Sequence, residues 1–574
     1  MLKRTLAGLL IVLAAAQPAA AQDRDATKPS ETTPQAPVAT SSDGPAPQDT
    51  IPDPLTPPKA DLVPAVAPGA VPRPATPPAV AAIADPVVAA ALARLSASPE
   101  PRTAGDRADH AALKSFYSEA AATPMWVDAK GFNDRGLGVI TAHRQADAHG
   151  LDAAAYDVPP PPASGATAEA LAETEIRIGR LALSYARHAR GGRLDPTALS
   201  KMIDMRPRPY EPRSVLDALA ATPATGNYLE GLHPQDAGFA ALRTALAKAR
   251  TDNASADAQR RLIVNMERWR WLPDDLGAFY VWDNIPEQVT RVFHDGKVAL
   301  KERIVVGKTD TPTPVFSARM QFVIFHPSWG VPEGIKANEL APMLRRAQAN
   351  SSSGWLFGDS GNGPSRALAR HELRVYQGGR EVNPDKINWA TTDPRQFQFT
   401  QPPSAKNVLG VVKFRFPNKF DVYMHDTTER HLFSRSPRLY SHGCMRVENP
   451  LKLAETILGY DKGWGRDKVA AMVARGSTTD VTLEKSVPVH IVYFTASVDE
   501  TGKLATFPDA YGLDNRVASA LAGKSVAIAS AKSDAEPAAA KTKDPATKKV
   551  AQRVKAPKKP SDQGFDPFAF LSSN

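Results

Sequence analysis

Apolar residues recur at intervals of three and four along residues 84–255. Val87, Ala91, Leu92 and Leu95 form one such stripe, and Leu171, Leu181, Ala182 and Tyr185 another within 167–190. This spacing marks helices that bury one face. Gly191-Gly192 closes the second run, as expected where a helix ends. Phe239, Leu242 and Leu246 predict a further helix, and Leu262, Met266 and Trp269 one more before Pro273. Short helices joined by Pro and Gly turns predict an all-α module. From 277 the period changes. Runs rich in β-branched and aromatic residues at 278–282, 288–293, 298–306, 320–325, 411–416, 420–425 and 490–494 predict strands. Helical spacing returns at 335–346, 450–458 and 466–474. The class is α+β: a helical N-terminal domain, then a β-rich domain built on a sheet or sandwich. An insert at about 340–405 interrupts the strands. It holds Ser351-Ser352-Ser353-Gly354, Gly358 through Pro364, and Trp355, Phe357 and Trp389. Inserts of this length in compact domains are functional lids or disordered.

The termini follow neither period. Lys3 and Arg4, the apolar stretch Leu6 to Ala16 and Ala19-Ala20-Ala21 predict an export signal over 1–21, either cleaved or kept as an inner-membrane anchor. The folded part is therefore expected outside the cytoplasm, in the periplasm. Fifteen of the chain's 52 prolines lie between Pro29 and Pro78, so 22–82 lacks the apolar content to fold and reads as an extended linker. Between Lys524 and Asp562 ten Lys/Arg face four acids, which supplies most of the chain's formal charge of +9. The high basicity thus describes a tail, placed at 498–574, that is either simply solvated or drawn to anionic headgroups or wall carboxylates. Nucleic-acid binding is not expected of an exported chain.

One residue then changes the picture. Cys444 is the only cysteine in 574 residues. It cannot form an internal disulfide, so it is either a small buried hydrophobe or a reactive thiol. His442 stands two residues before it and Arg446 two after, while His425 lies upstream at the end of a strand-like run. Imidazole and cationic neighbours favour a thiolate nucleophile near neutral pH. The alternation of Phe420, Val422 and Met424 with Asp421, Tyr423 and His425 puts His425 off the apolar face, suited to act as base. His442 is the other base candidate or an electrostatic neighbour. Gly443 permits a tight turn, and the N–H groups of Gly443 and Cys444 are candidate oxyanion donors. Arg446 serves the thiolate, a substrate carboxylate or a structural ion pair. Asn449 is expected to hold the loop through bonds to backbone. His431 is expected to be exposed. His425, His431, His442 and Cys444 do not suit a zinc site, because there is no Cys pair and no H-E-x-x-H. No phosphate-cradling glycine loop is present, so no metal and no cofactor is predicted.

The stretch Tyr440-Ser441-His442-Gly443-Cys444-Met445-Arg446, with Tyr423-Met424-His425-Asp426-Thr427 upstream, resembles the signature of the L,D-transpeptidases, the YkuD-type catalytic domain. Three further segments carry the resemblance: Val306 to Phe316, His326 to Pro332, and Asn265-Met266-Glu267-Arg268-Trp269-Arg270-Trp271-Leu272-Pro273, which is similar to the lead-in of the large multidomain branch. The resemblance implies acyl transfer on peptidoglycan tetrapeptide stems, with release of D-alanine and formation of 3→3 cross-links. Cys444 would be the nucleophile, His425 the base with its second ring nitrogen held by a backbone carbonyl near Asp426, and Tyr440, Trp329 and Arg446 substrate contacts. It also implies covalent inhibition by carbapenems, a helical scaffold at 83–255, a catalytic domain at 256–497 and a capping role for the insert. A different acceptor (a D-amino acid, a lipoprotein amine or water) and a silent wall-binding scaffold remain open. In one respect the chain departs from that branch: Lys248-Ala249-Arg250 runs into Gln259-Arg260-Arg261 with no room for a peptidoglycan-binding module.

Overall fold

The computed structural model describes residues 84–119, 121–353, 363–499 and 501–524. The export signal, the Pro-rich linker, the tail beyond 524 and the stretch around Trp355 and Phe357 lie outside them. Among the described residues no helix is long and apolar enough to cross a membrane.

The N-terminal helices form where the apolar spacing places them. Helix α1 (Pro86–Ala97) starts at Asp85, whose carboxylate accepts from the N–H groups of Val87 and Val88 at 2.8 and 3.1 Å. Helices α2 (Ala104–Tyr117) and α3 (Asp134–Arg144) follow. The long α4 (Ala168–Gly191) is capped by Thr167 and stops at Gly192, whose φ of 84° suits glycine. Helices α5 (Pro212–Ala221) and α6 (Thr225–Gly231) complete a bundle around α4, with Leu113, Trp126, Ile178 and Tyr185 in its core. One polar group crosses that core. Glu175 accepts from the Tyr117 hydroxyl at 2.6 Å and from the N–H groups of Met125, Trp126 and Val127. Burial lifts its carboxyl to about 7 against that support.

Helices α7 (Ala237–Thr251) and α8 (Ala256–Trp269) lead into the second domain. The segment after α8 is fixed by Arg270, which is fully buried and donates to the carbonyls of Ala189, Met266 and His149. Glu267 accepts from the N–H groups of Arg193 and Leu194 at 2.7 and 3.1 Å. These bonds tie the end of α4 to the end of α8, so the helical module and the β domain are joined by buried polar contacts. The module is not purely helical. Strand β1 (Ile203–Asp204) pairs with the β domain, and Leu199, Ile203 and Met205 sit in that domain's core.

The β domain is a ring. Its strands in chain order are β2 (Phe279–Asn284), β3 (Val289–His294), β4 (Lys297–Gly307) and β5 (Val315–Phe325). Strands β6 (Trp329–Gly330), β7 (Arg374–Gln377), β8 (Arg380–Glu381) and β9 (Gln398–Gln401) form a separate small sheet. The ring resumes with β10 (Val412–Arg415), β11 (Met424–His425), β12 (Leu439–Ser441), β13 (Met445–Val447) and β14 (Thr479–Val492). Neighbours run β10-β11-β13-β4-β3-β2-β14-β5, and β5 pairs again with β10, closing an 8-strand barrel-like sheet. Strand β12 attaches to β4 and β1 to β5. The expected sheet or sandwich is thus a closed sheet, because residues 322–325 of β5 pair with β14 along one edge and with β10 along the other. Val281, Val323, Phe414, Met424 and Met445 fill the interior together with Leu453 and Ile457 of the helix Pro450–Lys462.

Three helices of this domain matter for the site. In the insert, α9 (Ala341–Ser353) and α10 (Pro364–Arg370) flank the small sheet; α11 (Pro450–Lys462) follows the cysteine loop. Helix α12 (Arg466–Ala474) precedes β14. The fold continues past 498. Strands β15 (Ala496–Val498) and β16 (Leu504–Thr506) form a hairpin, and α13 (Leu513–Leu521) packs on the barrel through Leu513 and Val517. Arg268 donates to Asp514 at 2.6 Å. Residues 501–524, expected as part of the tail, are therefore part of the folded domain. Leu513, Val517 and Leu521 recur at helical spacing, a signal that the sequence reading passed over.

A carboxyl at the barrel wall supplies a stability prediction. Asp283 of β2 is fully buried, and neither of its oxygens has a hydrogen-bond partner among the described residues. Thr290 stands directly across on β3, and its buried hydroxyl likewise has no partner among the described residues. Burial raises its carboxyl from 3.8 to about 7. The folded value lies above the unfolded one, so folding is unpenalised below about pH 4 and loses stability as pH rises to about 7. At higher pH the loss is roughly 4 kcal/mol, from about 1.4 kcal/mol per unit. In Asp283→Asn, chemical denaturation across pH should give a curve that matches wild type near pH 4 and lies above it by up to this amount near pH 8. Parallel curves would show that Asp283 does not titrate in this range.

Candidate active site

The cysteine loop is held from below by a turn at the end of β4. Lys308 N–H donates to the Ser441 carbonyl at 2.9 Å, and Thr311 Oγ1 to the same oxygen at 3.1 Å. Thr313 Oγ1 donates to the Gly443 carbonyl at 2.8 Å and accepts from Gly307 N–H at 2.9 Å. Tyr511 donates to the Gly307 carbonyl at 2.7 Å and accepts from Thr313 N–H at 3.2 Å. The Val306–Phe316 segment thus acts as a cradle for the loop, and Tyr511, from the segment read as tail, braces the cradle. Gly443 has φ of 113°, which a side chain would strain. Its N–H donates to Ser441 Oγ at 3.2 Å, so as an oxyanion donor it has to exchange that partner.

Parallel pairing of β11 with β13 sets Met424 opposite Met445 and His425 opposite Arg446. The methionines face the barrel core, so the side chains that alternate with them face outward. Tyr423, His425, Cys444 and Arg446 therefore share one outer face. That face is not solvent. The insert folds over it as a cap with its own core of Trp329, Leu340, Leu344, Leu368, Trp389 and Phe399, and Tyr423 and Cys444 pack against it. The cap begins at Trp329, ahead of the expected 340.

His425, the last residue of β11, is consequently 5% exposed. Its Nδ1 donates to the Asp426 carbonyl, which leaves Nε2 as the acceptor. Asp426 is itself fixed: its carboxylate accepts from Val411 N–H at 2.9 Å and from Arg430 at 3.2 Å. Gly410 makes room for it, since a Cβ there would lie 2.2 Å from Asp426 Oδ2. Burial, reinforced by the charges of Arg446 and Lys413, draws the imidazole down to about 3. Cys444 stays partly accessible, yet the surrounding protein pushes its thiol up to about 11; hydrogen bonds from Tyr423 and the charge of Lys413 oppose this. The resting pair is thus thiol and neutral imidazole. Burial beneath the cap disfavours the thiolate, because it removes solvation.

Arg446 does not point its charge at the thiol. It is buried and paired with Glu429, which is also buried. His442 Nε2 pairs with Glu339, contributed by the cap's single π-turn segment Lys336–Leu340. The other oxygen of Glu339 is buried with no hydrogen-bond partner among the described residues. Asn449 bonds the Glu302 carboxylate at 2.7 Å, where a backbone partner was expected. Trp329 is buried in the cap core with Tyr423, whereas Tyr440 is exposed beside the loop. His431 is exposed, in the short turn Arg430–Ser434. Among the described residues no cluster of His, Cys, Asp or Glu could hold a metal ion. Glu339, Lys413, Tyr423, Glu429 and Tyr511 are the site residues that the sequence reading passed over. Only Tyr423, two residues before His425 and so on its face, carried a signal in local spacing.

The arrangement can carry out nucleophilic acyl transfer: a thiol, an imidazole with one nitrogen fixed and the other open, and a loop with two N–H groups, all under a cap. Residues 278–491 match the family model of the L,D-transpeptidase catalytic domain, and residues 111–246 that of the Scaffold domain. A curated protein of Haemophilus influenzae named "Putative L,D-transpeptidase" is 29% identical over 259 residues, 45% of this chain and 49% of the relative. The match thus spans about half the length of that relative.

Proposed function

We propose that this chain, in which a match to the Scaffold domain is followed by a match to the L,D-transpeptidase catalytic domain, is an L,D-transpeptidase that cross-links peptidoglycan through a thioester on Cys444. The observation that supports this reading best is the pairing of β11 with β13, which sets His425 and Cys444 on one face beneath the cap, with His425 Nδ1 fixed by the Asp426 carbonyl.

In the proposed reaction His425 Nε2 takes the thiol proton as sulfur attacks the carbonyl of the third stem residue. Since thiol and imidazole both rest neutral, proton transfer accompanies attack. The Gly443 and Cys444 N–H groups face the developing oxyanion, with Gly443 releasing Ser441 Oγ. Protonated His425 returns the proton to the leaving D-alanine amine. An amine of a second stem then enters, loses a proton to His425 and displaces Cys444, restoring the thiol. Trp329, Tyr423 and Tyr440 are the proposed stem contacts. The proposed place of action is the periplasm, from the export signal read in 1–21.

The test is incubation of the purified protein with disaccharide tetrapeptide. Expected products are D-alanine in equal amount to a cross-linked dimer, identified by mass spectrometry. Tripeptide without dimer would identify water as acceptor, and exchange of added D-methionine a free amino acid. No release of D-alanine would overturn the reading.

A further inference from the structure

A thiol that must lose its proton under a desolvating cap is helped by a positive charge nearby, and the loop's own arginine is already committed to Glu429. The barrel supplies another. Strand β10 lies between β5 and β11, with Lys413 opposite His425 and Phe414 opposite Met424. Val412 and Phe414 are buried in the barrel core, so Lys413 projects to the outer face that carries His425, Tyr423 and Cys444. Its ammonium nitrogen stands 3.7 Å from the centre of the Tyr423 ring, a cation–π contact that fixes it there. Tyr423 belongs to the cap core against which Cys444 packs, and it favours the thiolate. Lysine, aromatic ring and thiol therefore form one contiguous stack.

We propose that Lys413 is the cation that supports the Cys444 thiolate, held in position by Tyr423. It is a positioning residue for the reaction: it acts through Cys444 and need not touch the stem. This rests on the reading of Cys444 as nucleophile. The other charged groups facing the stack fit the assignment. Asp421, in the turn before β11, faces both Lys413 and Cys444 and disfavours the thiolate. Asp480 of β14 favours the lysine's charge, and Arg415 of β10 opposes it. His425, across the strand pair, rests neutral. Arg446 is balanced by Glu429, and His442 is paired with Glu339. Burial pulls the lysine below the usual ammonium range, and the thiolate pulls it back, so the two charges support each other.

The chain has one cysteine, so alkylation by iodoacetamide, followed by intact-mass spectrometry on the full-length protein, reads this thiol alone. Well below the thiol's titration the rate follows the thiolate fraction, and one unit of pKa is about tenfold. Lys413→Met should lower the rate roughly tenfold at about pH 8, and Lys413→Arg should restore most of it. Asp421→Asn should raise the rate several-fold, an opposite sign that loss of packing would not give. Asp421 has φ of 51°, which asparagine tolerates, so this variant remains informative where Lys413→Met fails to fold. Unchanged rates in both Lys413→Met and Asp421→Asn, or a fall in the latter, would overturn the proposal. The assay needs no peptidoglycan, so a protein that releases no D-alanine but shows these shifts would sink the proposed function and leave the role of Lys413 standing.

Discussion

Cys444→Ala should release no measurable D-alanine from disaccharide tetrapeptide, a fall of more than about 10⁴-fold, the scale on which removal of a covalent nucleophile acts. The fold should persist. Cys444 sits at a partly accessible turn on the rim of the cap core, and the cradle holds the loop through carbonyls that alanine retains. Thermal melting within a few degrees of wild type is the control. His425→Gln belongs to the same series and should cost about 10²–10⁴-fold, the range for a positioned acid–base group. His442→Gln should cost less, since His442 is tied to Glu339. The reverse order would make His442 the base. A carbapenem should add once to wild type and not at all to the alanine variant. An adduct surviving in that variant would point to a nucleophile other than the only thiol.

What could be read beforehand follows from where the information lies. The cysteine loop is contiguous in sequence, so its residues and their order were visible at once. The helices were visible too, because one face of each is buried and the other is not; the spacing predicts 466–474, and α12 runs Arg466–Ala474. Period-two reasoning at 420–425 put His425 off the core face, where the structure has it, but could not show that the other face is covered too. The barrel core covers one side of β11 and the cap the other, so alternation there cannot separate buried from open. Asp421 also breaks the strand with its positive φ, leaving only Met424 and His425 paired. The partners that set the site's electrostatics come from remote segments. Glu339 meets His442 across 103 residues, and Tyr511 meets Thr313 across 198. Closure of the barrel, which brings Lys413 beside His425, is likewise a long-range event with no local mark. The motif therefore named the chemistry, whereas the resting protonation state and the source of positive charge depend on the fold.

The fate of Arg446 illustrates this and carries the last prediction. The sequence left it as thiolate support, carboxylate grip or ion pair; the structure pairs it with Glu429, both side chains 7% exposed. A buried pair adds little net stability, but removing one member strands the other, at a cost of about 3–5 kcal/mol. Glu429→Ala should therefore lower the unfolding free energy by about that amount. It should also leave an unbalanced guanidinium beside His425, whose imidazole Arg446 already depresses, so the base weakens further. Turnover should fall more than the folded fraction does. The double variant Glu429→Leu/Arg446→Met removes both charges and should recover most of the stability, because apolar replacement of a whole buried pair is often neutral. Its kinetics separate the remaining roles. If Arg446 only balances Glu429, KM for the tetrapeptide stays near wild type in the refolded double variant. If Arg446 also grips a stem carboxylate, KM rises about tenfold or more, as expected when a charge-assisted hydrogen bond of roughly 1.5–3 kcal/mol is lost. Equilibrium denaturation with KM and kcat measured on the same samples decides between them, and a single variant as stable as wild type would show that the pair is not buried in solution.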